Sequence, residues 1–202
     1  KFAEHGRTLH DATAAVVGAN GVVAFGAART LAPVVGTLLL VGTNLERLER
    51  SATALARRAP SCDVQVSVDV ADVARADLVV TATSTPGYVV GVEHVRPGAW
   101  IYDIGRPADV DPAVRKVDGV QLIPGGVVRP PGHSSSGLDL HFGDGLVPAC
   151  LAETMILAAT GRRDHATTGE TARVADVAWF LEQGERLGFD IVVEDATQGG
   201  LA

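Results

Sequence analysis

Short apolar runs alternate with amphipathic stretches along most of the chain. "ATAAVVGANG" is an almost continuous apolar run that ends in glycines, the pattern of a strand buried on both faces. A helical pattern follows over about residues 22–34, Gly36 ends it, and "TLLLVG" is a second buried strand. In "NLERLERSATALARRA", Leu45, Leu48, Ala52 and Leu55 recur at helical spacing behind Asn44, a good N-cap residue. "DVQVSV" predicts a third strand, residues 70–75 a short helix, and "DLVVTA", "WIYDIG" and "VQLIPGG" three more strands. "RPPGHSSSGLD" reads as a surface or active-site loop, and residues 149–160 and 172–187 as helices. Strands alternating with helices imply a mostly parallel sheet with right-handed crossovers.

The expected fold class is therefore α/β: a doubly wound, Rossmann-like sheet followed by C-terminal helices. The expected division is the end of a preceding helix or linker over 1–10, a dinucleotide-binding domain over 11–147, and a helical segment over 148–202. "KFAEHGRTL" resembles a helix tail ending at Gly6, and Lys1 is no initiator, so further residues are expected to precede it.

Composition narrows the function classes. The bulk comes from Ala, Val, Leu and Gly with only 4% aromatics, which suits an α/β core better than an all-β sandwich. A formal charge of −7 argues against non-specific nucleic-acid binding, which needs a basic face. No apolar run reaches the ~20 residues of a membrane span, and no signal peptide opens the chain. Two cysteines make no disulfide framework, and no Cys/His spacing suggests a metal site, so a cytoplasmic setting is the default.

"VVGANGVVA" places Gly18 and Gly21 at a strand-to-helix turn, with Ala24 three residues on. This is a G-x-x-G-x-x-A variant of the dinucleotide fingerprint in the βαβ setting that gives it meaning. Bare backbone lets a pyrophosphate approach, and the helix start at Asn20, Gly21, Val22 and Val23 aims amides at the phosphates. After the second strand comes "VGTNLERL", with no carboxylate directly following to bind ribose hydroxyls. Thr43, Asn44 and Arg47 suit a 2′-phosphate, which favours NADP(H) over NAD(H); Thr43 and Asn44 also suit a helix cap. "TATSTPGYV" offers Thr83, Ser84 and Thr85 to the nicotinamide side of the cofactor, or forms a plain turn. Asp103 in "DIGRP" is similarly placed, or simply satisfies loop amides.

Cys150 falls in the first turn of its helix, just after Pro148. A thiol there meets the positive end of the helix dipole, an activated-nucleophile setting. A small buried hydrophobe is the alternative, and it is the reading for Cys62.

"AC-x-AETMILA" at 149–158, together with "ADLVVTATST", "PGAWIYDIGRP", "IPGGVV" and "FLEQGERLGFDI" in the same order, resembles the long-chain acyl-[acyl-carrier-protein] reductases, which form aldehydes. The resemblance covers about residues 12–191. It implies that Cys150 accepts the acyl group from a carrier-protein or CoA thioester and that NADPH reduces the acyl-enzyme. His141 is then an acid/base partner of Cys150 or a plain loop histidine, and Glu153 orients a loop group or complements the helix dipole. The approach "HFGDGLVPAC", with His141 and Asp144, departs from the family's proline-rich, aromatic one. The family also places a substrate domain before the glycine loop, and the residues before Lys1 are where it is expected. Two other readings stand beside it: a dehydrogenase similar to the shikimate dehydrogenase cofactor domain, with Cys150 as packing, and a non-catalytic NADP-binding module.

Overall fold

A computed structural model of the chain describes residue 6 and residues 8–133, 142–163 and 173–192. They fall into two compact units that divide after Ile123.

The first unit is built on a six-stranded sheet of order β3-β2-β1-β4-β5-β6. Its strands are β1 (Thr13–Val17), β2 (Thr37–Val41), β3 (Asp63–Ser67), β4 (Leu78–Thr81), β5 (Trp100–Asp103) and β6 (Gln121–Pro124). β1 pairs in parallel with β2 on one side and β4 on the other; β2–β3 and β4–β5 are parallel too. The continuous apolar runs of β1 and β2 are explained by burial on both faces. Val16, Leu38 and Leu40 point to one core with Ala24, Ala28, Leu48 and Leu55 of α1 (Val22–Leu31) and α2 (Leu45–Arg58). Val17, Leu39 and Val79 point to the other, with Val73, Val95 and Val114. Leu39 is 1% exposed, so trimming it to alanine removes about 2–5 kcal/mol of stability.

Only α1 and α2 are full crossover helices. The later crossings use 3-10 segments at Val70–Arg75, Val92–His94 and Pro112–Lys116. Asn44 caps α2 as its residue type predicts, its Oδ1 accepting from Arg47 N at 2.9 Å. This is the doubly wound α/β fold expected from the sequence.

The second unit holds α3 (Ala149–Thr160), α4 (Val174–Leu187) and a small sheet of order β8-β7-β9. Its strands are β7 (Val127–Arg129), β8 (Val147–Pro148) and β9 (Asp190–Ile191). Val128, Val147 and Ala152 form its core, with Phe189 packed on them. Gly161 and Gly188 end the two helices in the left-handed conformation, where glycine carries no Cβ penalty. The Arg162 guanidinium lies 4.3 Å from the Trp179 ring centroid. The division therefore falls 24 residues before the expected 147/148 boundary (147 − 123). The physical reason is pairing: β7 bonds antiparallel to β8 and β9, and strands this short leave no periodicity to read.

Candidate functional site

β1 has β2 on one side and β4 on the other, so the chain leaves its carboxyl end in opposite directions there. Ligands of open α/β sheets bind in the crevice at such a switch point. A cleft of about 260 Å³ occupies it, lined by Gly18, Asn20, Gly21, Thr43 and residues 83–85 among others.

The glycine loop fits a dinucleotide. Gly18 has φ +83°, and a Cβ there would meet Thr83 Cγ2 at 3.0 Å and the Ala82 carbonyl more closely still. Gly21 is exposed and closes the turn, its N donating to Gly18 O at 2.7 Å. No side chain caps the start of α1, where Val22 and Val23 are both exposed. Uncapped amides at the positive end of a ten-residue helix are an anion site.

The other predicted contacts are held more tightly than the sequence implies. Asn20 lines the cleft, yet its carboxamide is engaged with Asn44: Asn44 N donates to Oδ1 at 3.0 Å, and Nδ2 donates to Asn44 O at 3.2 Å. Arg47 Nη2 donates to the Asn20 carbonyl at 3.0 Å, which holds the guanidinium against the glycine loop. Thr43, Asn44 and Arg47 are exposed at the end of β2. The first acid after β2 is Glu46, which faces solvent and lies 3.8 Å from Arg50.

The loop after β4 rests on two buried carboxylates. Asp103, at the end of β5, accepts from Thr81 Oγ1 (2.9 Å), Gly105 N (3.0 Å), Asp109 N (3.1 Å) and Val110 N (3.1 Å). It satisfies loop amides, one of the two readings its sequence allowed. Burial pushes its carboxyl above the ordinary aspartate value, and the charge of Asp109 adds to that. The bonds from Thr81 and the two amides pull the other way without prevailing. Asp109 is fully buried and accepts from Thr83 N at 2.7 Å and from the Thr83 hydroxyl. Sequence reasoning missed Asp109. Its only signal is a second aspartate six residues after Asp103 in "DIGRPADV".

Cys150 is exposed in the first turn of α3, behind Pro148, and its carbonyl accepts from Thr154 Oγ1 at 3.0 Å. An apolar groove of about 530 Å³ runs along the same helix. Ala149 and Glu153, the neighbours of Cys150 along the chain and one turn on, line it with Ile156, Phe180, Leu181 and others; Cys150 itself does not. Cys62 is buried, and burial together with the adjacent Asp63 charge pushes its thiol up. His141 lies outside the described residues. Among the described residues no group of three His, Cys, Asp or Glu is placed to hold a metal ion. No helix among them is long and apolar enough to cross a membrane.

Residues 2–124 match the family described as shikimate / quinate 5-dehydrogenase. A curated relative, glutamyl-tRNA reductase of Sorangium cellulosum (strain So ce56), is 35% identical over 123 residues, 54% of this chain and 21% of the relative. The chain thus spans about a fifth of that relative's length. Among solved structures, Delta(1)-pyrroline-2-carboxylate reductase of Thermococcus litoralis, in complex with NADH and L-proline, is 20% identical at TM-score 0.45, covering 51% of this chain and 33% of that one. Shikimate 5-dehydrogenase of Listeria monocytogenes, in complex with shikimate and NAD, is 15% identical at TM-score 0.42, covering 60% of this chain and 48% of that one.

Proposed function

The chain belongs to the shikimate / quinate 5-dehydrogenase family through residues 2–124, and from that premise we propose that the whole protein reduces an acyl thioester to an aldehyde through an acyl-enzyme on Cys150. On this reading the protein is an NAD(P)-dependent oxidoreductase whose dinucleotide-binding domain is the family's, acting on an acyl thioester through a covalent step. One observation carries that reading: an exposed thiol in the first, side-chain-uncapped turn of α3, beside an apolar groove. The thiol is open to an incoming thioester, and the groove has the chemistry to receive an acyl chain.

In this scheme Cys150 Sγ attacks the thioester carbonyl, and the carrier thiol of an acyl carrier protein or CoA leaves and takes up a proton. A nicotinamide dinucleotide held by the glycine loop would supply the hydride. The bond from Sγ to the substrate carbon then breaks, aldehyde departs and the thiolate is restored. His141 is the candidate proton donor to the leaving thiol. Splitting the reaction at a covalent intermediate is the gain that a nucleophilic cysteine offers. Thr43 and Arg47, with no acid ahead of Glu46, favour NADPH over NADH. The relative from Sorangium cellulosum is named for reducing glutamyl-tRNA, which is also an activated acyl group.

A second reading, a dehydrogenase in which Cys150 takes no part in the chemistry, draws on the family match, which ends at residue 124, before Cys150; the exposure of Cys150 rules out the buried packing role that its sequence also allowed. Intact-protein mass spectrometry separates the two. Mixing the whole protein with an acyl thioester and no reductant should give one acyl adduct, retained in Cys62→Ala and lost in Cys150→Ala. An adduct that survives Cys150→Ala sinks the covalent scheme.

A further inference from the structure

We infer that Asp109 is a positioning residue that commits the Thr83 hydroxyl to act as a hydrogen-bond acceptor toward the nicotinamide riboside half of the cofactor. The inference rests on the assignment of the cleft as the dinucleotide site.

Both Asp109 carboxyl oxygens accept from Thr83. Asp109 has no exposed surface; one of its oxygens takes Thr83 N at 2.7 Å and the other takes the Thr83 hydroxyl. A threonine hydroxyl has one proton, and here that proton points inward, to Asp109. What remains on Thr83 Oγ1 is lone-pair density. One lone pair takes Thr85 N at 3.2 Å. The other makes Thr83 an acceptor, and Thr83 is half-buried in the wall of the cleft.

Asp109 is itself fixed in place. Its backbone N donates to Asp103 Oδ2 at 3.1 Å. Its carboxylate packs over Gly105, where an added Cβ would meet Asp109 Oδ1 at 2.9 Å. A chain of three groups therefore runs from the end of β5 to the cleft: Asp103, Asp109, Thr83.

The placement of Thr83 selects the ligand half. The adenosine half of a dinucleotide lies on the β2 side of the switch point, and the glycine loop after β1 takes the pyrophosphate. Thr83 follows β4, on the opposite side of β1 from β2. The donors available on that half are the carboxamide N–H and the ribose O–H groups.

Substitution of Asp109 by asparagine inverts the polarity at nearly constant shape. The asparagine oxygen keeps the Thr83 amide, its NH2 donates to Thr83 Oγ1, and the Thr83 proton is turned toward the cleft as a donor. Titration calorimetry with NADP+, 2′-phospho-ADP-ribose and 2′,5′-ADP reads the consequence on the whole protein. Asp109→Asn should weaken NADP+ about ten-fold, the scale of losing a bond and opposing two donors, and leave 2′,5′-ADP unchanged. Thr83→Val, which removes the hydroxyl and keeps the Thr83 N–H on Asp109, should weaken NADP+ to a similar degree, while Thr83→Ser restores it. A loss shared by 2′-phospho-ADP-ribose identifies a ribose hydroxyl as the donor; a loss confined to NADP+ identifies the carboxamide. An equal loss for 2′,5′-ADP in Thr83→Val, or unchanged NADP+ binding in both Asp109→Asn and Thr83→Val, overturns the inference while leaving the cleft assignment intact. Failure of the wild-type protein to bind any of the three probes overturns both.

Discussion

Asn20 Oδ1 occupies the space that a side chain on Gly42 would fill, so the glycine loop and the end of β2 interlock through these two residues. The carboxamide that fills this space also bonds to both backbone polar groups of Asn44. The glycine loop is thereby tied to the end of β2. Gly42→Ala should displace Asn20, lower stability and weaken dinucleotide binding. Asn20→Ala should do the same by losing the clamp. Because the two changes damage one contact, the double variant should be less destabilised than the sum, by about 1 kcal/mol. Urea titration of the four proteins measures this, and strict additivity would show that the two residues act separately.

Gly18 and Gly21 should respond differently to substitution. Gly18 sits at φ +83° against the Ala82 carbonyl, so even alanine strains the backbone there and should destabilise the first unit. Gly21 has an ordinary φ of −88° and is exposed. Gly21→Leu should lose less stability than Gly18→Ala, because its Cβ presses only on Gly18 O, at 3.2 Å, yet should lose dinucleotide affinity, because the side chain fills the phosphate approach. Thermal melts paired with calorimetry distinguish the two, and strong cofactor binding by Gly21→Leu would remove the pyrophosphate from this loop.

Placing an acid after β2 should reverse cofactor preference. Thr43→Glu offers a carboxylate to ribose hydroxyls and repels a 2′-phosphate. NADPH affinity should fall at least ten-fold relative to NADH, on the scale of one lost charge-assisted contact. Fluorescence titration with both cofactors checks this; an unchanged ratio would place the 2′-position away from Thr43.

The two thiols should separate cleanly in the folded protein. Cys150 is exposed, whereas Cys62 is 6% exposed and its thiol is pushed up by burial and by Asp63. Iodoacetamide under native conditions should therefore give a single modification, at Cys150, and a second only after denaturation. Peptide mapping reads the site, and prompt native labelling of Cys62 would contradict its burial.

Asp103 should give an inverted pH signature. Its carboxyl is raised in the folded state, first by burial, so folding binds its proton more tightly than the unfolded chain does. Its contribution is fully present below the ordinary aspartate value. It diminishes as pH rises from there through the raised native value. Asp103→Asn removes this titration and turns an NH2 toward the amides of Asp109 and Val110, costing about 1–3 kcal/mol. The stability gap between wild type and variant should narrow as pH rises across that interval. Urea unfolding at a series of pH values tests it, and a gap that widens would mean the wrong sign.

The sequence by itself determined the first unit almost strand for strand. Runs such as "TLLLV" are apolar at every position because both faces of the sheet are covered, and Asn44, a residue type suited to a helix start, marks the beginning of α2. The glycine turn was legible for the same kind of local reason: its geometry needs residues without a Cβ at fixed spacing. The helices expected at 149–160 and 172–187, observed at Ala149–Thr160 and Val174–Leu187, followed from length and apolar content, and so did the position of Cys150 in the first turn. Tertiary structure alone decided the rest. The clasp between the Asn20 carboxamide and Asn44, 24 residues away, has no sign in either residue alone. Asp109 reads as a loop aspartate until the parallel pairing of β4 and β5 brings the loop after β5 against Thr83, 26 residues earlier. The unit boundary depended on β7, β8 and β9, strands of two or three residues whose partners are distant in the chain. Local geometry leaves a periodic trace in the residues that adopt it. A hydrogen bond between distant residues leaves none, because either partner alone is an ordinary polar residue.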